Sequence, residues 1–360
     1  TEGIRNMVTI SSTTWHDIPA WALESDVLRV VIVPQMGAKI VSLLDKRGNC
    51  EWLVGPMPGR PVRRVAYAAS FVEQDMAGWD EMFPTILACA YPGPGPRHGV
   101  ALPDHGEAWA LPWEVIRAAG GVLTLTLHGR ALLYRLTRSV SLGQTEGRGS
   151  NTGIEAVRQP PSGLAGLSHH PTQPAEASSP GNVLILRYTL ENLGTDPMPY
   201  MWAAHPQFVA GPDCRIVLPP EITQVVNTAG PDVGWGPREA RYAWPEATAP
   251  DGRRVRLDQV GPATLRQCRK FFAPPDARPL WAEVQRLDSG HWLRLAWDPA
   301  EVPYLGLWVD EGMVNSEAVV APEPMTGWYD DLALAWQKSK VKVVPAAGIH
   351  TWTLVVRMGA

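Results

Sequence analysis

The sequence predicts an all-β protein built of many short antiparallel strands. With 33 glycines and 35 prolines in 360 residues, chain breakers leave little room for long helices. Short runs rich in Val, Ile and Leu recur along the chain and stop at Pro, Gly or polar turn residues. Only residues 330–337 carry apolar positions at helical spacing.

The first strand is read over Leu28–Pro34, ended by proline and a turn at Gly37, and the second over Lys39–Leu44. Asp45–Asn49 is a polar hairpin turn, and Trp52–Val54 resumes the sheet. Residues 55–64, rich in Pro, Gly and Arg, read as loop. Trp113–Ile116, Val122–Leu127 and Leu132–Val140 form a meander, continued by Val183–Leu190 and Met198–Ala204. Residues 142–181 differ in texture: Gly, Ser, Pro, Gln and Thr dominate, and so little apolar surface cannot offset the entropy of ordering. They are predicted to be a flexible surface insertion, with His169 and His170 solvated inside it. Beyond it come Arg215–Leu218, Val255–Leu257, Leu280–Val284, Trp292–Trp297, Tyr304–Val309, Ala318–Ala321 and Thr351–Val356.

Composition excludes several functions. A net charge of −4, from 32 basic and 36 acidic residues, argues against nucleic acid or an anionic membrane as partner. The longest apolar runs, such as residues 27–34, are too short to span a bilayer. Cys50, Cys89, Cys214 and Cys268 are scattered and form no C-x-x-C pair, as expected for free thiols in a reducing cytoplasm. The sequence has no metal-ligand spacing, no phosphate-binding Gly-rich loop and no G-x-S-x-G, so neither a metal nor an organic cofactor is expected. No repeat of fixed period points to a propeller.

Three segments carry the candidate chemistry. One is Pro103-Asp104-His105-Gly106-Glu107, followed by Pro112-Trp113; the second is Ala204-His205-Pro206-Gln207-Phe208; the third is the Pro-bounded rim segment around Glu323, which runs on to Asp330-Asp331. Two imidazoles and one carboxylate make an acid/base set. Opening a cyclic aldose needs one group to take the anomeric hydroxyl proton and another to protonate the ring oxygen. Each residue also has a purely structural reading. Glu323 could be a solvated loop carboxylate, His205 a hydrogen-bonded core histidine, and His105 a turn residue. Asp80 and Glu81 could form a capped turn before Pro84.

Residues 28–43 resemble the opening strands of the aldose 1-epimerase (galactose mutarotase-like) superfamily. His205-Pro206-Gln207-Phe208 is similar to that family's His-Pro-Tyr-Phe, and His105-Gly106 with Pro112-Trp113 to its His-Gly…Pro-Trp element. Glu323, Thr326 and Asp330-Asp331 resemble its C-terminal glutamate segment. The resemblance implies one domain over residues 1–360, apart from the insertion: a large antiparallel β-sandwich of the supersandwich form. It implies Glu323 as general base, His205 as general acid and His105 as a substrate-hydroxyl ligand, in an enzyme that interconverts the anomers of a sugar. The chain departs from the family in three places. Gly78–Pro84 replaces an Asn-Arg pair, Glu107 and Trp109 follow His105-Gly106, and no Asp-His-x-Phe segment is present. Asp80 and Glu81 are therefore expected to accept from sugar hydroxyls, and Trp79 and Trp109 to offer stacking faces. An acidic pair repels phosphate, so the expected substrate is a neutral sugar. The alternatives are a carbohydrate-binding protein without turnover, or another sugar-modifying activity such as a lyase.

Overall fold

The computed structural model describes residues 8–143, 183–230 and 235–360. Among these, two large antiparallel sheets dominate. One has thirteen strands and the other eight. The larger runs centrally through Leu28–Val33, Lys39–Asp45, Trp79–Met82, Ala203–Pro206, Ala318–Met325, Tyr304–Glu311 and Gln267–Phe272. The smaller contains Val122–His128, Tyr134–Gly143, Val183–Asn192 and Ile349–Gly359, with Trp292–Trp297 beyond. One continuous apolar cluster joins them, including Leu125, Leu136 and Leu186 from the smaller sheet and Ile40, Met82 and Phe208 from the larger. This is an all-β sandwich, and the meander read from residues 113–140 and 183–190 sits within the smaller sheet.

Leu28–Val33, Lys39–Asp45 and Trp292–Trp297 match the sequence reading although each carries a charge, whereas Trp79–Met82 and Gln267–Phe272, with two charges side by side, do not. Trp79–Met82 is buried throughout and Gln267–Phe272 is buried from Arg269 onward, yet they contain Asp80, Glu81, Arg269 and Lys270, which hide their strand character. Met198–Ala204 is not one strand of the meander. Met198–Tyr200 pairs with Lys342–Val344, and Ala203–Pro206 enters the larger sheet. The break falls at Met201-Trp202, where the backbone amides donate to Pro84 O and Thr326 Oγ1 instead of to a strand. Leu142 and Gly143 belong to a strand, not to the insertion; residues 144–182, with the histidine pair, lie outside the described residues. The predicted helix is present as Leu332–Gln337, capped by Asp331, whose side chain accepts from Leu334 N at 3.0 Å.

Glu323 lies inside the strand Ala318–Met325 rather than on a rim loop. Its neighbours Pro322 and Pro324 lack an N–H, yet both fit. On the flank opposite Tyr304–Glu311, strand register stops at Val320 and resumes at Met325. The prolines occupy that gap.

Candidate active site

Side chains alternate between the faces of a strand, so register shows which groups share a face. Asp80 pairs directly with His205, and Ala203 with Met325. Glu323, two residues before Met325, therefore points to the same side as His205. Glu323 pairs with Gly306, Gly306 with Phe272, and Lys270 is two residues before Phe272. Asp80, His205, Glu323 and Lys270 thus form a row across one face of the larger sheet.

Glu81 points the opposite way, into the space between the sheets. Arg138 Nη1 donates to Glu81 Oε1 at 2.7 Å, Tyr188 OH donates to the same oxygen at 2.8 Å, and Trp202 Nε1 donates to Oε2 at 2.7 Å. Arg138 and Tyr188 belong to the smaller sheet, so this cluster ties the two sheets together. The row containing His205 is therefore on the outer face of the sandwich.

On that face lies a cavity of about 380 Å³, lined by His105, His205, Glu323, Lys270, Asp330, Gln207, Phe71 and Trp308 among others. The three segments far apart in sequence do converge. His205 Nε2 is 3.7 Å from Glu323 Oε1, and the rings of His105 and His205 are 6.2 Å apart, edge to face. Phe71 stacks on His105 at 4.0 Å and meets His205 edge-on at 5.5 Å, holding both imidazoles in an apolar frame. A second hollow of about 470 Å³ lies elsewhere, and its Arg269 already pairs with Glu311 at 2.8 Å. The smaller cavity is the one that holds the acid/base groups.

His105 is set by its turn. Its φ is +58°, and Gly106 follows at +72°. A Cβ on Gly106 would come within 2.1 Å of Phe83 O, so only glycine lets this turn close on the sheet. His105 Nδ1 bonds Asp104 Oδ1 at 2.7 Å, while Asp104 Oδ2 accepts from Phe71 N at 2.9 Å and Ser70 Oγ at 3.2 Å. Burial opposes the charge on Asp104, but these bonds outweigh it and hold the carboxyl below its ordinary range. A carboxylate on Nδ1 fixes the ring and leaves Nε2 available.

Burial dominates the electrostatics of the other two. It pushes Glu323 up to about 7; Lys270 opposes this and Asp330 reinforces it. It drives His205 well below 6.5, with His105 and Lys270 adding to the effect. Burial alone would lower Lys270, but Asp330 and Glu323 outweigh it and keep the ammonium charged.

The structure does not bring Trp79, Asp80, Glu81 or Trp109 to the cavity lining. Trp79 is fully buried beside Phe208, and Glu81 is committed to Arg138, Tyr188 and Trp202. Asp80 lies 3.4 Å from Lys39 Nζ and accepts from Gln74 Nε2; burial pushes it up to about 6, with Lys39 opposing. Trp109 donates to Asp104 O at 3.1 Å and meets Phe71 edge-on, bracing the turn of His105 from behind. Conversely, Phe71, Trp308 and Lys270 line the cavity and were absent from the sequence reading of the site. Lys270 left one trace in the sequence: it stands directly ahead of Phe271-Phe272.

No protein-family model matches this chain, and no curated protein matches it. Solved structures do. A galactose mutarotase-like protein from Lactobacillus casei superposes with a TM-score of 0.63 at 17% identity, covering 94% of this chain and all of that one (100%). A galactose mutarotase related enzyme from Lactobacillus acidophilus gives 0.62 at 14% identity, over 95% and 97% of the two chains. A galactose mutarotase-like protein from Clostridium acetobutylicum gives 0.62 at 12% identity, over 98% of each. The fold is thus the galactose mutarotase-like β-sandwich. At these identities this chain is a divergent example of it, and the likeness bears on architecture rather than on activity or substrate.

Proposed function

We propose that the protein interconverts the anomers of a neutral sugar by opening and reclosing its ring, using Glu323 and His205. The observation that carries this reading is the convergence of Glu323 Oε1 and His205 Nε2 to 3.7 Å in one cavity, with His105 beside them. A gap of that size suits two groups that act on two oxygens of one ring.

Burial disfavours both the carboxylate of Glu323 and an imidazolium at His205, so the resting pair carries its single proton on Glu323. His205 then accepts the proton of the anomeric hydroxyl while Glu323 protonates the ring oxygen. The bond from the anomeric carbon to the ring oxygen breaks, and that carbon becomes a carbonyl. After rotation about the adjacent C–C bond, the ionised Glu323 takes the hydroxyl proton back and His205 returns its proton to the carbonyl oxygen. No net proton is gained or lost, and the roles of base and acid read from the sequence recur in the closing step. His105 holds a sugar hydroxyl, and Trp308 offers an apolar face to the ring's C–H groups.

A neutral sugar fits the charge of the site. With Glu323 protonated, Asp330 and Asp331 are balanced by Lys270 and Arg238 around the cavity, so no net positive charge gathers there to draw a phosphate. Polarimetry of freshly dissolved sugars, or NMR saturation transfer between anomers, tests the reading directly. Acceleration of anomer exchange for any one of a broad panel is the expected result; binding without acceleration would defeat it. Sugar binding without turnover is the second reading, favoured by Gly78–Pro84 standing where the family carries its Asn-Arg pair.

A further inference from the structure

The strand Tyr304–Glu311 stands between the strands that carry Lys270 and Glu323. A side chain on it directly opposite Glu323 would separate them. Gly306 occupies that point. A Cβ there would lie 3.1 Å from Glu323 Oε2, 3.1 Å from Met325 Sδ and 3.5 Å from Lys270 Cε. The missing side chain opens a passage across the sheet face, through which Lys270 Nζ closes on Glu323 Oε2. The same ammonium lies 3.4 Å from Asp330 Oδ1. Among the described residues Glu323 Oε1 has no hydrogen-bond partner, although the residue is fully buried, and it is the oxygen that faces His205 in the cavity.

A buried carboxylate normally recruits donors for both oxygens. Here one is gripped and the other is left bare in a ligand-sized space. We infer that Lys270, backed by Asp330 and admitted by Gly306, is a positioning residue that clamps Glu323 by Oε2 and reserves Oε1 for the reacting proton. Its catalytic meaning rests on the function proposed above; the clamp itself does not. The charged groups facing Glu323 are His205 from Ala203–Pro206, Lys270 from Gln267–Phe272, and Asp330 from the segment ahead of the helix. Lys39 and His105 act on His205 instead. The clamp therefore makes predictions of opposite sign. Removing the ammonium must raise the pH at which Glu323 titrates, and removing the Asp330 charge must lower it. Loss of a lysine that merely fills space would leave the midpoint where it is.

The test is an NMR titration of the full chain with ¹³C at the glutamate carboxyls, Glu323 being assigned by its loss in Glu323→Gln. In Lys270→Met the Glu323 midpoint should rise by about 1 to 3 pH units, the range for loss of an opposite charge at contact. In Lys270→Arg it should stay near the wild-type value, and in Asp330→Asn it should fall. An unmoved midpoint in folded Lys270→Met overturns the clamp. Should that variant not fold, Asp330→Asn and Gly306→Ala carry the test. The first must move the midpoint down, and the second up, because its Cβ drives the pair apart; no movement in either overturns the proposal. If the midpoints move as stated but wild-type protein accelerates no anomer exchange, the clamp stands and the proposed function fails.

Discussion

Asp80 and Glu81 are adjacent in sequence, equally buried, and belong to opposite worlds. Glu81 turns between the sheets, where Arg138, Tyr188 and Trp202 use both of its oxygens. Asp80 turns to the outer face, into the row that holds His205, Glu323 and Lys270. On that side, among the described residues, Glu323 Oε1 and His205 Nδ1 lack hydrogen-bond partners. Both clusters bury charge, but only one leaves polar atoms bare beside a cavity. Orphaned polar atoms are costly in a folded chain, so a site that keeps them is built for something that completes them. Burial of charge by itself separates nothing, and Arg138 Nε of the inner cluster is orphaned too; what sets the outer face apart is the cavity beside its bare atoms.

Substitutions on the two faces should therefore fail in different ways. The largest effect is expected from Glu323→Gln, which keeps the shape and removes the titrating proton. Anomer exchange should fall by about 10²–10⁴-fold, the usual contribution of a positioned acid or base, with near-UV circular dichroism unchanged. Near-native exchange would remove Glu323 from the chemistry. Arg138→Met breaks the inner cluster and leaves Glu81 buried without its counter-ion. A loss of about 3–5 kcal/mol is expected in urea unfolding, with exchange per folded molecule preserved. A large loss of kcat without destabilisation would erase the distinction between the two faces. His205→Asn should lower kcat more than it raises KM, and an unchanged kcat would remove His205 from proton transfer.

The smallest expected effect is a pH dependence of stability. Glu323 is raised from 4.5 to about 7 on folding, so the native state holds its proton more tightly than the unfolded chain does. The stability it contributes is full below pH 4.5 and is lost as pH rises through about 7. His205 has the reverse sign: its folded value is depressed, so its contribution is present above 6.5 and lost as pH falls. Subtracting the urea midpoints of Glu323→Gln from those of the wild type isolates the first term. That difference should decline between pH 5 and pH 7.5, and a flat difference would show that burial does not set the charge of Glu323.

The strands best read from sequence were those in which apolar residues dominate and no two charges stand side by side. Leu28–Val33, Lys39–Asp45 and Trp292–Trp297 are of this kind. Trp79–Met82 and Gln267–Phe272 escaped notice because a buried charge looks, in sequence, like an exposed one. The same confusion governs the site. His105, His205 and Glu323 stood out by residue type and by the motifs around them. Asp80 and Glu81 stood out as strongly, yet Glu81 is an inter-sheet anchor and Asp80 is held beside Lys39. Phe71 and Trp308 carried no signal, since an aromatic side chain has the same appeal for a core as for a cavity wall.

By itself the sequence determined that strands form, roughly where they stop, and which ionisable residues were candidates for proton transfer. These follow from local steric preferences and from the chemistry of single side chains. Only the tertiary structure decided which candidates share a face, which oxygen of Glu323 is free and which lysine holds the other. Register inverts a side chain's direction with every single-residue step, and it is set by pairing between segments more than a hundred residues apart. Adjacent carboxyls such as Asp80 and Glu81 cannot be told apart until the partner strands are in place.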